Sequence, residues 1–232
     1  MIHYVDLSQP IEPGMTIFPG DPLPGIQPAA GVTAPWRVSD LHLGTHSGTH
    51  IDSASHYLPT GKTIDQYPID RFILPGIVLP VADLSEDQSI SEESLSGGLK
   101  NFPEGGAILV QTQWDRFWKT DRYLRHPYLS PAASMLLIKV RASLVGIDAL
   151  NVDSTVQSTT HAHQSLMEND ILIVENLTQL SKLKPGRIVH FSFLPINLPG
   201  LDGSPIRAVA WQSKFKLFTL KENASNGNVW RN

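Results

Sequence analysis

Four of the nine histidines in the chain, His42, His46, His50 and His56, fall between Leu41 and Tyr57, and Asp52 lies among them. All five occupy even-numbered positions, so in an extended segment, whose side chains alternate between faces, they would project to the same side. Gly44, Gly48 and Ala54 share that parity and leave room between the rings. Packing imidazoles and a carboxylate this closely costs desolvation that a bound cation recovers, so a divalent metal site is the first chemistry to consider. The plainer reading, solvated loop histidines or satisfied donors in a core, fits any one of them better than it fits the set.

At about 3.3 Å per residue, His50 and Asp52 would stand roughly 7 Å apart and reach one ion, while His46 would lie about twice as far from His50. A bend is therefore required, and Gly48, which tolerates backbone angles closed to other residues, is the place for it. The competing geometry sets His46 and His50 as an i, i+4 pair on a helix. It fits poorly, because Gly48-Thr49 disfavours helix, no Glu follows His46, and Asp52 would point elsewhere. Cysteine is absent, which leaves imidazole nitrogens and carboxylate oxygens as the strong ligands. Glu175, at the end of the apolar run Ile171 to Val174, is a further candidate ligand or catalytic group.

The elements that must hold these groups are short and separated by turns, since eighteen Pro and seventeen Gly punctuate the chain. Apolar or β-branched runs predict strands at Gly76 to Ala82, Ala107 to Gln111, Leu144 to Ile147, Ile171 to Val174 and Arg187 to Phe193. The pattern Ser-x-x-Glu at Ser89 and Glu92 predicts a short helix that stops at Gly97-Gly98, and Ser130 before Pro131 opens another that runs to about Ile138. Together these predict a mixed α/β fold. Pro10, Pro13, Pro19, Pro22 and Pro24 exclude regular helix from the first forty residues and predict an extended arm, laid on a partner subunit or over a pocket. The tail after Leu220 reads as frayed or docked. Without repeats, low-complexity tracts or a dividing linker, residues 1–232 are expected to form one domain.

Composition excludes several classes of function. The net charge is −4 and no Lys/Arg run is present, so nucleic acid is not an expected partner. The longest apolar stretch, Phe72 to Val81, is broken by Pro75, Gly76 and Pro80, and no membrane span is expected. Met1 to Asp6 lacks the basic and apolar blocks of a secretory signal, which points to a cytoplasmic protein.

The segment from His46 to His56 resembles the hallmark His-x-Gly-Thr-His-x-Asp-x-Pro-x-His of the cyclase-type metal-dependent hydrolases, a family that includes bacterial kynurenine formamidase and isatin hydrolase. His46, Gly48, Thr49, His50, Asp52 and His56 match it, and Ala54 stands where the family has proline. Asp6-Leu7-Ser8 and Phe18 to Pro22 are similar to the family's opening segment. Thr112 to Trp114, Leu129 to Ala133, Gly146 to Asp148, Ile173 to Leu177 and Asp202 to Ala208 are similar to later blocks, in order. The resemblance implies a single domain of the swivelling β/β/α type with a mixed sheet behind its Pro-rich arm.

The same resemblance implies that His46, His50 and Asp52 are metal ligands, joined by His163 and Glu175, with one or two divalent ions, zinc first and manganese second. His161, two residues from His163, would face the same side of a strand and shares its candidacy. Asp148 and Asp153 are left off the ligand set, and so is His42, as an exposed neighbour or outer-shell donor. His56 is the expected general base and acid, because an imidazole with a pKa near 6.5 can take a proton from an activated water and return it to a leaving nitrogen. Trp114 and Phe18 are candidates to line an aromatic pocket. The implied reaction is hydrolysis of a small aromatic amide, first an aryl formamide, with a cyclic amide or lactone next and a non-catalytic metal-binding protein as the other class. A homodimer is implied as well. Alanine for proline at 54 is expected to loosen the turn that carries His56 and to open room beside the metal, either for a bulkier substrate or to be filled by a neighbour.

Overall fold

The computed structural model describes residues 3–81 and 83–212. In chain order the strands are β1 (His3–Asp6), β2 (Gly25–Pro28), β3 (Ser39–His42), β4 (His50–Asp52), β5 (Ile73–Pro80), β6 (Ser89–Ile90), β7 (Ala107–Gln111), β8 (Tyr128–Leu129), β9 (Leu144–Ile147), β10 (Leu172–Glu175), β11 (Val189–Ser192), β12 (Gly203–Pro205) and β13 (Val209–Gln212). The α-helices are α1 (Glu92–Ser96), α2 (Pro131–Lys139) and α3 (His161–Glu168). Nine strands form one sheet in the order β1-β13-β11-β5-β7-β9-β10-β4-β12. Its centre, from β5 through β7 and β9 to β10, is parallel; the strands on either side pair antiparallel.

Strands β7, β9 and β10 are buried along their whole length, as parallel strands covered on both faces must be, which is why they read as unbroken apolar runs. Ile77, Ile108, Val145 and Ile173 pack on one face against Leu137 of α2 and Leu166 of α3. Val78, Leu109, Leu172 and Val174 pack on the other with Ile51 and Phe191. The expected mixed α/β fold is what forms. Among the described residues no helix is long and apolar enough to cross a membrane.

Several boundaries differ from expectation for identifiable reasons. Strand β5 starts at Ile73 because its first half pairs with β11 and its second half with β7; Ala82 lies outside the described residues. Ser89 is taken up in β6, which pairs with β8, so α1 is capped by Ser91, whose side chain accepts from the Ser94 amide. Helix α2 begins as expected, with Ser130 Oγ accepting from the Ala133 amide at 3.0 Å and Pro131 in its first turn. The amino-terminal arm has no helix, yet it is not simply extended: β1 joins the edge of the main sheet, and β2 and β3 form a separate hairpin. The arm leaves Trp36 75% and Leu41 64% exposed. The tail after Leu220 lies outside the described residues.

Candidate metal centre

The bend expected at Gly48 is present, with φ +67°, and a Cβ there would come 2.9 Å from Ile11 Cγ1. Both backbone angle and space therefore require glycine. The Gly48 carbonyl accepts from His50 Nδ1 at 2.9 Å and from Asn176 Nδ2 at 3.0 Å. With Nδ1 occupied as a donor, His50 turns Nε2 inward, 3.3 Å from Asp52 Oδ1. The bend also carries His46 Nδ1 to 2.7 Å from the same oxygen. The chain is extended only through β4, however. His42 sits apart on the exposed β3, and His56 lies in the 3-10 turn Ala54–His56, so the five even-numbered residues do not share one long strand.

The other half of the cluster comes from elements distant in sequence. Antiparallel pairing of β10 with β4 sets Glu175 opposite His50, with Glu175 Oε2 3.5 Å from His50 Nε2. His163 stands in the first turn of α3, where Asp153 Oδ2 accepts from its backbone N–H at 2.8 Å and from its Nδ1 at 2.9 Å. Asp153 Oδ1 accepts from the Ala162 amide as well. One carboxylate thus caps the helix and aims His163 Nε2 toward Asp52 Oδ2, at 3.8 Å, and Glu175 Oε1, at 3.6 Å. His161 points away and bonds the Leu129 carbonyl at 2.7 Å. The strand reading of this segment is corrected: on a helix, neighbours two apart are rotated by about 200° and do not share a face.

Two sets of donors overlap on Asp52, His46 with His50 and Asp52, and Asp52 with His163 and Glu175, and a third, more exposed group joins His46, His56 and Asp202, each with its atoms within 4.8 Å of one another. Asp52 is fully buried, and its Oδ2 has no hydrogen-bond partner. A buried carboxylate oxygen without a donor is costly, and a divalent cation among these nitrogens and oxygens would satisfy it; the residues fit such an ion. Burial by itself would lower His46 and His163. The charge of Asp52 together with hydrogen bonds to Asp202 and Asp52 outweighs it at His46, and the hydrogen bond to Asp153 with the nearby carboxylates of Asp52 and Glu175 outweighs it at His163, raising the two imidazoles to about 9 and about 10. Burial would likewise raise Asp52, but His50 and His46 hold it well below the usual carboxylate range. A cation entering the cluster must displace those protons.

A cavity of about 180 Å³ opens over the cluster, lined by His46, His50, His163, Glu175, His56 and Phe18 among others. His56 lies against His46, ring centroids 4.0 Å apart and planes tilted by 41°, on the wall of this cavity. Phe18 is where an aromatic pocket wall was expected. Trp114 is not, because it is fully buried in the core against Phe117. Asp148 anchors a loop, accepting from the Thr112 and Gln113 amides. At Ala54 the space is taken up by neighbours: the residue is buried, and its N–H, which a proline would lack, donates to Tyr67 Oη at 3.3 Å. Sequence reasoning set Asp153 aside as a ligand without seeing that it orients His163, and it missed the supporting roles of Asp202, an acceptor from the histidines, and of Asn176, which donates to the Gly48 carbonyl. The only local sign was a short polar residue beside each functional block.

Residues 5–154 match the family model Cyclase, described as "Putative cyclase". The kynurenine formamidase of Paracidovorax citrulli (strain AAC00-1) is 31% identical over 211 residues, covering 88% of this chain and 94% of that protein. That of Bordetella avium (strain 197N) is 29% identical over 209 residues, covering 88% and 95%. Among solved structures, isatin hydrolase A from Labrenzia aggregata, bound to benzyl benzoate, superposes with a TM-score of 0.81 at 21% identity, covering 90% of this chain and 93% of that one.

Proposed function

The chain belongs to the cyclase family, and on that premise we propose that it is a metal-dependent hydrolase of a small carbon–nitrogen bond outside peptides, first of all in an aryl formamide of the N-formylkynurenine type. The observation that carries this reading is the buried, unpartnered Asp52 Oδ2, set beneath a cavity with His56 and Phe18 on its walls. His46, His50 and Asp52 would hold one divalent ion, and Asp52, His163 and Glu175 a second. Zinc is the ion we propose, manganese the next. Such an ion supplies Lewis acidity, which polarises a carbonyl and makes water acidic enough to be deprotonated near neutral pH.

The chain's own groups do the rest. Phe18 offers a flat apolar surface for an aryl ring and so orients the scissile bond over the cluster. His56, free of the ligand sets that hold Asp52, takes a proton from the attacking water and returns one to the leaving nitrogen. Leu150 closes part of the cavity wall with apolar surface, which strengthens every electrostatic contact inside.

The proposal takes the protein as a cytoplasmic homodimer. Support for the dimer is the arm, whose Leu23, Trp36, Val38 and Leu41 are exposed apolar side chains close together in the chain. The test of function is metal analysis of the purified protein with an ultraviolet assay on N-formylkynurenine and on isatin. Deformylation with bound zinc supports the reading; ring opening of isatin without deformylation replaces it with the cyclic-amide alternative.

A further inference from the structure

Asp202 lies just before β12, outside the two metal-holding sets built on Asp52 and in the third group with His46 and His56. Its Oδ2 is 2.9 Å from His46 Nε2 and 3.2 Å from His56 Nδ1, so one carboxylate oxygen meets two imidazoles. The main chain fixes it there. The Asp202 carbonyl accepts from the Ser53 amide at 2.9 Å and from Ser53 Oγ at 2.8 Å, and the next residue, Gly203, pairs with Asp52. A Cβ on Gly203 would come 2.8 Å from the Ile51 carbonyl and 3.0 Å from His46 Cε1. The close approach that brings Asp202 over the histidines therefore depends on glycine at 203.

We propose that Asp202 is a positioning residue, whose carboxylate accepts from His46 and His56 at once and locks the acid–base imidazole to the metal-holding cluster. The inference rests on the hydrolase reading above. An imidazole that donates through Nδ1 keeps its lone pair on Nε2, the nitrogen left to receive a proton from water and pass it on. When His56 carries that proton, the adjacent carboxylate balances its charge, and the same contact stops the ring from turning. On His46 the bond leaves Nδ1 as the nitrogen that faces Asp52. Sequence spacing has no access to this arrangement, since Asp202 becomes a neighbour of His46 only through the pairing of β12 with β4.

The test uses zinc-loaded protein and the variants Asp202→Ala and Asp202→Glu. We expect Asp202→Ala to lower kcat by about ten- to a hundredfold, with KM, zinc content and melting temperature near those of the parent, and Asp202→Glu to recover much of the loss. Nitrogen NMR of labelled histidine should show His56 protonated at Nδ1 in the parent and released from that tautomer in Asp202→Ala. Unchanged kcat, a loss that only follows lost zinc, or an unmoved His56 tautomer would overturn the proposal. If the parent hydrolyses neither amide, the reading of function fails, while the NMR comparison still decides whether Asp202 holds His56.

Discussion

Glu175 faces His50 directly across the antiparallel pair of β10 and β4, their side chains 3.5 Å apart. Strand β10 is a central parallel strand and β4 its short antiparallel neighbour, so the cluster sits where the sheet changes direction, at the carboxyl end of β10. That end of a parallel strand, where connections fan apart and leave a crevice, is the usual place for a ligand in α/β sheets. Here the crevice is furnished by His163 from the helix after β9 and by Asp52 from β4.

If His56 moves protons and His50 and Asp52 hold the ion, their variants separate. His56→Ala should cut turnover by about 10²–10⁴-fold and keep its metal. His50→Ala and Asp52→Asn should lose metal and turnover together. Near-normal turnover in His56→Ala would show that some other group carries the proton.

The raised imidazoles make a prediction for chelated protein. His46 and His163 lie at about 9 and about 10 in the fold against 6.5 ordinarily. A raised basic group stabilises fully below its unfolded value and loses that contribution as pH climbs through the folded one. The melting temperature of the metal-free protein should therefore fall between about pH 6.5 and 10. The zinc-loaded protein has already given up those protons, so the gap between the two should widen over the same range. Parallel curves would mean that these imidazoles are not the sites protons and metal compete for.

The buried Ala54 N–H donates to Tyr67 Oη at 3.3 Å, a bond that a proline at 54 could not make. Tyr67→Phe leaves the buried Ala54 N–H without its acceptor and should cost about 1–3 kcal/mol, read from chemical denaturation. In an Ala54→Pro background there is no N–H to satisfy, and the same change should cost far less. Equal costs in the two backgrounds would remove this account of Tyr67.

Phe18 at the cavity wall should matter for binding more than for the chemical step. Replacing it by Ala is expected to raise KM for an aryl formamide by about two- to tenfold, the equivalent of about 0.5–1.5 kcal/mol of aromatic contact, with kcat little changed. A fall in kcat at constant KM would place Phe18 elsewhere in the reaction.

Local pattern was enough for part of this molecule. The central parallel strands are legible because burial on both faces demands continuous apolar runs, and Ser130-Pro131 because a helix start has its own chemistry. The convergence of His46, His50 and Asp52 is legible because they are joined by a short peptide with one glycine able to bend it. Everything set by pairing across long sequence distances had to wait for the coordinates. Strands β4 and β12, three residues each, are too short and too polar to announce themselves, and they exist because partners complete their hydrogen bonds. His163 is distinguished from His161 only by the helix that Asp153 caps. Asp202 reaches His56, and Glu175 reaches His50, through strand register alone, and register depends on contacts that no local stretch of chain contains.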